Sequence, residues 1–429
     1  MERRLLLPFL LAVLLTLAGC AGAEGAAGPP GPEGPQGPPG PAGRDGASGP
    51  AGPAGVDGVS FEPPQYVGSE ACSECHQETF ETFMNSGHPH ILTAVENGEA
   101  PEYPFTEVAA PPDGYTWDDI SYVVGGYNWK ARFVDQNGYL VTGDENSATQ
   151  FNLFNEELEL GDEWVAYHAG QEESYQCASC HTTGYNAQGT QDGLEGMVGS
   201  FAFAGVQCEA CHGPGSLHVN NPLSFSPVIN RDSAACQSCH TPDSIAAVEA
   251  SDGFIQHHEQ YDDLFPGKHA LIDCVVCHDP HSGVVQLREA NEQTTRVMCE
   301  NCHLAEAEGP VKAHDRIRVG CLECHMPKLI QNAVGAPEQF TGDFRTHMVS
   351  INPELIDQFT ETDAGLVSAT QISLSFACRH CHNPDGFGPE VTDAELQDAA
   401  RDYHNPELQT AEEITNEAQP ADENTSGGG

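Results

Sequence analysis

The chain has 429 residues, of which 39% are hydrophobic and 7% aromatic, and it contains 45 Gly and 31 Pro. So low an apolar content argues against an ordinary aliphatic core, and another group is expected to fill the interior. The formal net charge of −48, from 16 Lys plus Arg against 64 Asp plus Glu, argues against a nucleic-acid partner and indicates an acidic, solvated exterior.

The N-terminus has the features of a secretion signal. Arg3 and Arg4 precede an apolar stretch that is short for a membrane span. We therefore predict a cleaved signal over residues 1–19, with a plain signal peptide or a retained anchor as alternatives. Leu17-Ala18-Gly19-Cys20 resembles a bacterial lipobox, which implies that Cys20 is lipidated and holds the protein on a membrane, the outer membrane by the same resemblance.

Residues 20–60 are predicted to form the lipid anchor and a stalk. Gly occupies every third position from Gly22 to Gly58, and Pro fills many of the other positions. This is the G-X-Y pattern of collagen, in which only Gly fits at the axis of the triple helix. Two interpretations stay open: a homotrimer or filament of wound chains, or a single-chain spacer. Either would lift the rest of the chain away from the lipid.

Sixteen of the 17 Cys form eight C-x-x-C pairs, and each pair is followed directly by His. Thiols at this spacing form thioethers with the two vinyl groups of haem, and the next residue places an imidazole on the iron. Disulfides or zinc sites would not require His at the same offset eight times. The sequence therefore predicts eight covalently bound haem c groups and no disulfide. The thioether residues are Cys72, Cys75, Cys177, Cys180, Cys208, Cys211, Cys236, Cys239, Cys274, Cys277, Cys299, Cys302, Cys321, Cys324, Cys378 and Cys381, and the proximal ligands are His76, His181, His212, His240, His278, His303, His325 and His382.

The haem-bearing body is predicted to span residues 61–405, and residues 406–429 are predicted to be an acidic, disordered tail. Because the haems supply the core, we expect a mainly α multihaem cytochrome c fold with extensive loops around stacked haems. Each C-x-x-C-H motif is expected to begin a short helix or turn.

A small β segment near residues 118–143 is the expected exception. Residues 120–124, 130–134 and 139–142 are rich in β-formers, and Asn137-Gly138 is a hairpin turn signal. We predict a small sheet packed beside the haems.

Twelve of the 20 His remain for the distal face of each iron, so bis-histidine ligation is possible throughout. Met is the alternative axial ligand, but few Met are present. His380 lies inside the loop of the last motif and is interpreted as a bystander. His281 follows proximal His278 by three residues, so as a ligand it must reach a different haem. His168, nine residues before Cys177, is a further candidate.

Several segments resemble the cytochrome c-554-like multihaem group and its octahaem relatives. They are Gly68-Ser-Glu-Ala-Cys-Ser-Glu-Cys-His76, Ser86-Gly-His88, Gly125-Gly-Tyr-Asn-Trp-Lys-Ala-Arg-Phe133, Cys208-Glu-Ala-Cys-His-Gly-Pro-Gly-Ser-Leu-His218 and Cys274-Val-Val-Cys-His-Asp-Pro-His281. The resemblance covers most of the body but not the stalk. It implies distal ligands at His88, His218, His269, His281, His314, His347 and His404, and at either His257 or His258. With His168, nine candidates compete for eight positions.

Closely spaced haems with both axial positions filled transfer electrons and do little bond chemistry. The leading hypothesis is therefore an extracytoplasmic electron carrier in anaerobic or extracellular respiration, with no catalytic residue of its own. The octahaem relatives imply an alternative, an oxidoreductase for small nitrogen or sulfur compounds at an open-site haem. A collagen-like adhesin is a third, weaker hypothesis.

The acidic field favours ferric iron and steers basic partners, such as basic cytochromes; quinol-linked donors are also candidate partners. Lys130 and Arg132 are rare cations in this chain, and we predict that they pair with haem propionates.

Overall fold

The computed structural model describes residues 63–241, 250–256, 260–289, 293–308, 314, 319–363, 365–384 and 386–404. The chain divides into two units, Met1–Phe61 and Glu62–Gly429. The predicted signal, Cys20, the stalk, the tail beyond residue 405, His257 and His258 all lie outside the described residues. Within the described ranges, no helix is both long and apolar enough to cross a membrane.

The described residues contain eleven α-helices, most of them short. They are α1 Ser69–Met84, α2 Ala178–His181, α3 Cys208–His212, α4 Ser216–Asn220, α5 Ala234–His240, α6 Gln260–Leu264, α7 Cys274–Cys277, α8 Val284–Glu289, α9 Leu304–Glu308, α10 Cys321–His325 and α11 Asp393–Asp402. Short 3₁₀ turns cover His88–His90, Trp117–Asp119, Cys299–Asn301 and Pro337–Gln339, and one π-helical turn covers Ser375–Arg379.

The haem-attachment motifs coincide with these short helices. Six lie on α1, α2, α3, α5, α7 and α10, one on the 3₁₀ turn at Cys299, and the last on the π-helical turn. The long α1 is interrupted at His76, whose φ of −114° and ψ of 40° are non-helical. The helix is therefore kinked at the proximal histidine of this motif.

The largest sheet has seven antiparallel strands and follows α1. It contains β1 Leu92–Ala94, β2 Ile120–Gly125, β3 Lys130–Asp135, β4 Tyr139–Leu140, β5 Gln150–Asn152, β6 Glu163–Val165 and β7 Glu173–Ser174. The predicted hairpin is confirmed: β3 pairs with β4, Gly138 has a φ of +90°, and Asn137 donates its backbone N–H to Asp135 Oδ1 at 2.8 Å.

Four smaller sheets complete the described fold. β8 Thr182–Thr183 pairs with β11 Phe203–Ala204, and β9 Asn186–Thr190 pairs with β10 Val198–Ser200. The other six strands are β12 Ala250–Ser251, β13 Phe254–Ile255, β14 Ile330–Ala336, β15 Thr341–Phe344, β16 Phe359–Thr362 and β17 Gly365–Ser368. A four-stranded sheet has the order β12-β13-β14-β15, and β16 pairs with β17.

The side-chain core lies on these sheets. Two buried clusters line the large sheet, around Phe133 and Tyr175, and a third lies on the four-stranded sheet around Phe254 and Ile330. By contrast, none of the sixteen motif cysteines is fully buried. The described residues combine short helices with small sheets, so the mainly α character that the sequence predicts is not evident.

Candidate haem-binding site

Seven of the eight proximal histidines face a second histidine. Each site is named here after its proximal histidine. The two ring centres of a pair are 5.8–6.3 Å apart, and the pairs are His76–His218, His240–His88, His212–His281, His278–His347, His303–His269, His325–His404 and His382–His314.

This spacing fits an iron between the two rings. Two metal–nitrogen bonds of about 2 Å each, plus the distance from each nitrogen to its ring centre, separate two axial imidazole centres by roughly 6 Å. The residues present therefore suit a bis-histidine haem at each of these seven sites, with thioether cysteines directly before each proximal ring.

Hydrogen bonds at Nδ1 orient several of these rings. A ring whose Nδ1–H is held by an oxygen acceptor presents Nε2 to a metal. Among the axial histidines, the Nδ1–acceptor distances are 2.7–2.9 Å for His212 to Val228 O, His218 to Phe225 O, His240 to Gln260 Oε1, His325 to Val349 O and His382 to Pro389 O.

Burial keeps two distal rings in the neutral form that binds iron. Burial, followed by the neighbouring His240, lowers the pKa of His88 to about 4. Burial, followed by His278 and His240, lowers the pKa of His347 to about 3. Both imidazoles therefore stay unprotonated at neutral pH.

Two distal histidines are held by side chains that lie far away in the sequence, His347 by Asp263 and His314 by Tyr403. Buried Asp263 accepts hydrogen bonds from Thr346 Oγ1 at 2.6 Å and from the His347 backbone N–H at 2.9 Å. At the end of α11, Tyr403 Oη contacts His314 Nδ1, and His404 directly follows it. The C-terminal segment therefore serves both the His382 site and the His325 site.

Two further histidines have different surroundings. His168 Nδ1 lies 3.2 Å from Glu173 Oε1, its ring packs against Tyr167, and its side chain is 45% exposed. Among the described ring contacts it meets no proximal histidine. His90, which the sequence did not favour as a ligand, donates Nε2–H to Met84 O at 2.8 Å and stacks on Tyr127.

The His181 site differs from the other seven. His181 Nδ1 lies 3.2 Å from Tyr175 Oη, and in the described part of the chain no second histidine ring faces it. Arg132 lies close by, with its guanidinium 3.7 Å above the Tyr167 ring centre. Burial, followed by the charge of Arg132, lowers the pKa of His181 to about 4. Sequence reasoning missed Tyr167 and Tyr175, which lie ten and two residues before Cys177.

Arg132 and Lys130 are both half-buried. Arg132 donates Nε–H to Gln150 Oε1 at 2.7 Å, and the Lys130 ammonium contacts Asn332 O. Neither points into solvent, and their pairing with propionates stays a prediction. Burial, followed by repulsion from Arg132, lowers the pKa of Lys130 to about 8.

The attachment motifs adjoin one another in space. The first motif meets the third through α1 and α3, the second meets the fourth through α2 and α5, and the seventh meets the eighth through α10 and the π-helical turn. Ser233 Oγ, next to the fourth motif, lies 3.3 Å from Cys274 Sγ of the fifth. Arg296, just before the sixth motif, donates its backbone N–H to Cys277 O of the fifth motif at 2.6 Å. Burial and then Cys321 of the seventh motif raise the pKa of Cys299.

Adjacent C-x-x-C-H motifs with paired axial imidazoles define a multihaem c-type cytochrome, which binds haem covalently. This chain is a multihaem c-type cytochrome with a collagen-like region near its N-terminus. Three family models match it: cytochrome c554 and c-prime over residues 148–213, cytochrome c3 over residues 200–304, and the collagen triple helix repeat over residues 17–63.

Known proteins similar to this chain are themselves multihaem cytochromes. The chain is 24% identical over 238 residues to the multiheme cytochrome MtrA of Shewanella baltica, covering 49% of this chain and 66% of that one. It is 23% identical over 374 residues to the dissimilatory sulfite reductase MccA of Wolinella succinogenes, covering 62% of this chain and 51% of that one. The chain thus spans between half and two thirds of these relatives.

Solved structures resemble the fold. The octaheme sulfite reductase MccA has a TM-score of 0.52 at 17% identity, covering 76% of this chain and 66% of that one. The outer cell wall cytochrome OcwA has a TM-score of 0.49 at 19% identity, covering 79% of this chain and 86% of that one.

Proposed function

We propose that this protein transfers electrons along eight covalently bound haems outside the cytoplasm. The observation that carries the proposal is the set of seven paired axial imidazoles. An iron with both axial positions occupied has no open position for a substrate, so its chemistry is limited to gaining and losing an electron. Because the haems are covalently attached to motifs that adjoin one another, their irons lie close enough to exchange electrons along the chain.

The order of adjacent motifs suggests a route. Contacts join the His76 site to the His212 site, the His181 and His278 sites to the His240 site, and the His325 site to the His382 site. We propose that electrons pass through the His76, His212, His240, His278, His303, His325 and His382 sites in that order, with the His181 site as a branch. The His76 and His382 sites stand at the two ends of this order, and they are the proposed points of electron entry and exit.

The proposed setting is respiration to an external acceptor, with the body carried on a stalk. The collagen-like repeat and Cys20 support a membrane-anchored protein, on the outer membrane in our proposal, and the stalk offers a route to trimers or filaments. The net charge of −48 supports basic redox proteins as partners.

The relative orientation of the paired rings gives a direct test. Three pairs are nearly parallel, at 24° for His76–His218, 6° for His212–His281 and 24° for His325–His404. Three are close to perpendicular, at 84° for His88–His240, 72° for His269–His303 and 85° for His314–His382. Parallel axial planes give rhombic low-spin ferric signals, whereas perpendicular planes give highly anisotropic ones.

We expect electron paramagnetic resonance of the oxidised protein to show both low-spin classes, and intact mass to show eight haems per chain. The reduced protein should be reoxidised by a soluble iron(III) chelate. A mainly high-spin spectrum, or a mass that accounts for fewer than eight haems, would contradict the proposal.

A second candidate function rests on the His181 site. There the cation Arg132 lies near the proximal ring and over the Tyr167 ring, and no second histidine of the described residues faces His181. A nearby cation suits an anionic ligand on an open iron. The similarity to MccA, a dissimilatory sulfite reductase, favours a small sulfur or nitrogen oxyanion as the substrate class.

Ligand binding separates the two candidates. If the His181 iron is open, the ferric protein will show one high-spin component that sulfite, nitrite or hydroxylamine alters, and the ferrous protein will bind one carbon monoxide. A wholly low-spin protein that ignores these ligands would rule out the oxidoreductase and leave electron transfer alone.

A further inference from the structure

Glu209 is a buried carboxylate within a haem-attachment loop. It lies between the two thioether cysteines of the His212 site, in Cys208-Glu209-Ala210-Cys211, and is only 3% exposed. A charged side chain is rarely buried to this extent unless its oxygens are hydrogen bonded. Haem attachment alone does not explain why this carboxylate is buried.

Three backbone N–H groups donate to this carboxylate. Val67 N lies 2.9 Å from Oε1 and 3.0 Å from Oε2, and Gly68 N lies 2.7 Å from Oε2. On the other side, Gly215 N lies 2.6 Å from Oε1. Glu209 thus joins two segments that are far apart in sequence.

Each of these segments delivers an axial ligand to the His76 site. Gly68 is the N-cap of α1, which carries Cys72 and His76, and Gly215 is the N-cap of α4, which carries His218. A residue in the loop of the His212 haem therefore holds the starts of both helices that ligate the His76 haem.

We propose that Glu209 is a positioning residue that sets the His76 haem relative to the His212 haem and so governs electron exchange between them. This rests on the proposed electron transfer. Because hydrogen bonds to a carboxylate are stronger than those between neutral groups, one side chain holds both helices. The buried negative charge also favours the ferric state of nearby irons.

Neighbouring contacts reinforce the same junction. Gln65 N donates to Ser216 Oγ at 2.8 Å, and Ser216 N donates to Gln65 O at 3.1 Å, so the two segments are also joined directly. The loop after α4 supplies Phe225 O to His218 Nδ1 and Val228 O to His212 Nδ1, both at 2.7 Å. One loop thus orients an axial ring of each haem.

The test is Glu209→Gln in the full, haem-loaded protein, with Glu300→Gln as the matched control. Glu300 occupies the same position in Cys299-Glu300-Asn301-Cys302 but is exposed. Gln keeps the size of Glu209, loses its charge and turns a donor toward the backbone N–H groups. Glu209→Asp keeps the charge on a side chain one methylene shorter.

We expect E209Q to alter the rhombic signal of the nearly parallel His76–His218 pair and to move at least one midpoint potential to more positive values. E300Q should match the wild type in both. E209D should keep the potentials closer to wild type than E209Q does while still disturbing the rhombic signal. Loss of haem from Cys72 and Cys75 alone, seen by peptide mass mapping, would also support the proposal.

An E209Q protein with the spectrum and potentials of E300Q would overturn it. So would haem loss from every motif, because Glu209 would then serve folding of the whole body. If the wild type itself carries no haem on Cys72 and Cys75, the proposed function fails; if only the response to E209Q is missing, the role of Glu209 alone fails.

Discussion

The His181 site and the seven paired sites share the same attachment motif but differ in the side chains that surround the iron position. At the His240 site a second imidazole faces the proximal ring, and burial keeps that ring neutral. At the His181 site Tyr175 contacts the proximal ring and the charge of Arg132, which lies over the Tyr167 ring, lowers the pKa of His181 after burial. This site therefore has a nearby cation, whereas the paired sites have a second imidazole. Attachment and coordination are therefore specified by different residues.

The largest expected effect comes from converting a paired site into an open one. His88→Ala removes the distal ring of the His240 site, and we expect one haem to change from low-spin to high-spin and to bind carbon monoxide. His90→Ala is the control, two residues away, because its Nε2–H is donated to Met84 O. Equal spectra for the two variants would refute the assignment of His88.

The next effect concerns the charge at the His181 site. Arg132→Gln removes the cation, so we expect the midpoint potential of the His181 haem to fall and, if that iron is open, sulfite affinity to drop by roughly 10–100-fold, as for loss of a charged hydrogen bond. Spectroelectrochemistry and sulfite titration measure both. Exposed Arg401→Gln is the control, and a potential that rises in R132Q would contradict the electrostatic argument.

A smaller effect is expected from changing Asp263, the residue that holds the distal ligand His347 in place. Asp263→Asn weakens the bonds from Thr346 Oγ1 and the His347 N–H, and should lower the free energy of unfolding by about 1–3 kcal/mol. Denaturant unfolding measures this. The exposed Asp162→Asn variant should unfold like the wild type, and a D263N protein as stable as D162N would show that Asp263 does not hold His347.

The smallest effect is expected on the outer face of α11. Arg401 contacts Glu354 Oε1 at 2.9 Å and Asp398 Oδ1 at 2.7 Å, but exposed ion pairs contribute little and are screened by salt. Arg401→Ala should therefore leave the His325–His404 spectrum unchanged at moderate salt. A shift in that spectrum would instead indicate that this ion pair helps to position His404.

Local patterns were predictable from the sequence, and long-range partners were not. The hairpin at Asn137-Gly138 follows from turn chemistry within a few residues, and the proximal histidines follow from a fixed spacing. The pairing of His281 with His212 depends on tertiary packing. The sequence predicts only that His281, if it is a ligand, binds a haem other than the one attached beside His278. Glu209 carries no motif, because a glutamate acquires these contacts only when distant segments meet. Tyr175 reaches His181 within its own segment, but no spacing rule marks a tyrosine at that position.

The axial pairs interlock along the chain. His76 pairs with His218, His88 with His240, and His212 with His281. The sequence stretch between the two histidines of each pair therefore overlaps the stretch of the next pair. Each of these three sites thus shares part of its stretch of polypeptide with another site. Such high contact order slows folding, and here closure also depends on the iron. Maturation should therefore place haem on an unfolded chain first, and truncations within the body should destabilise sites on both sides of the cut.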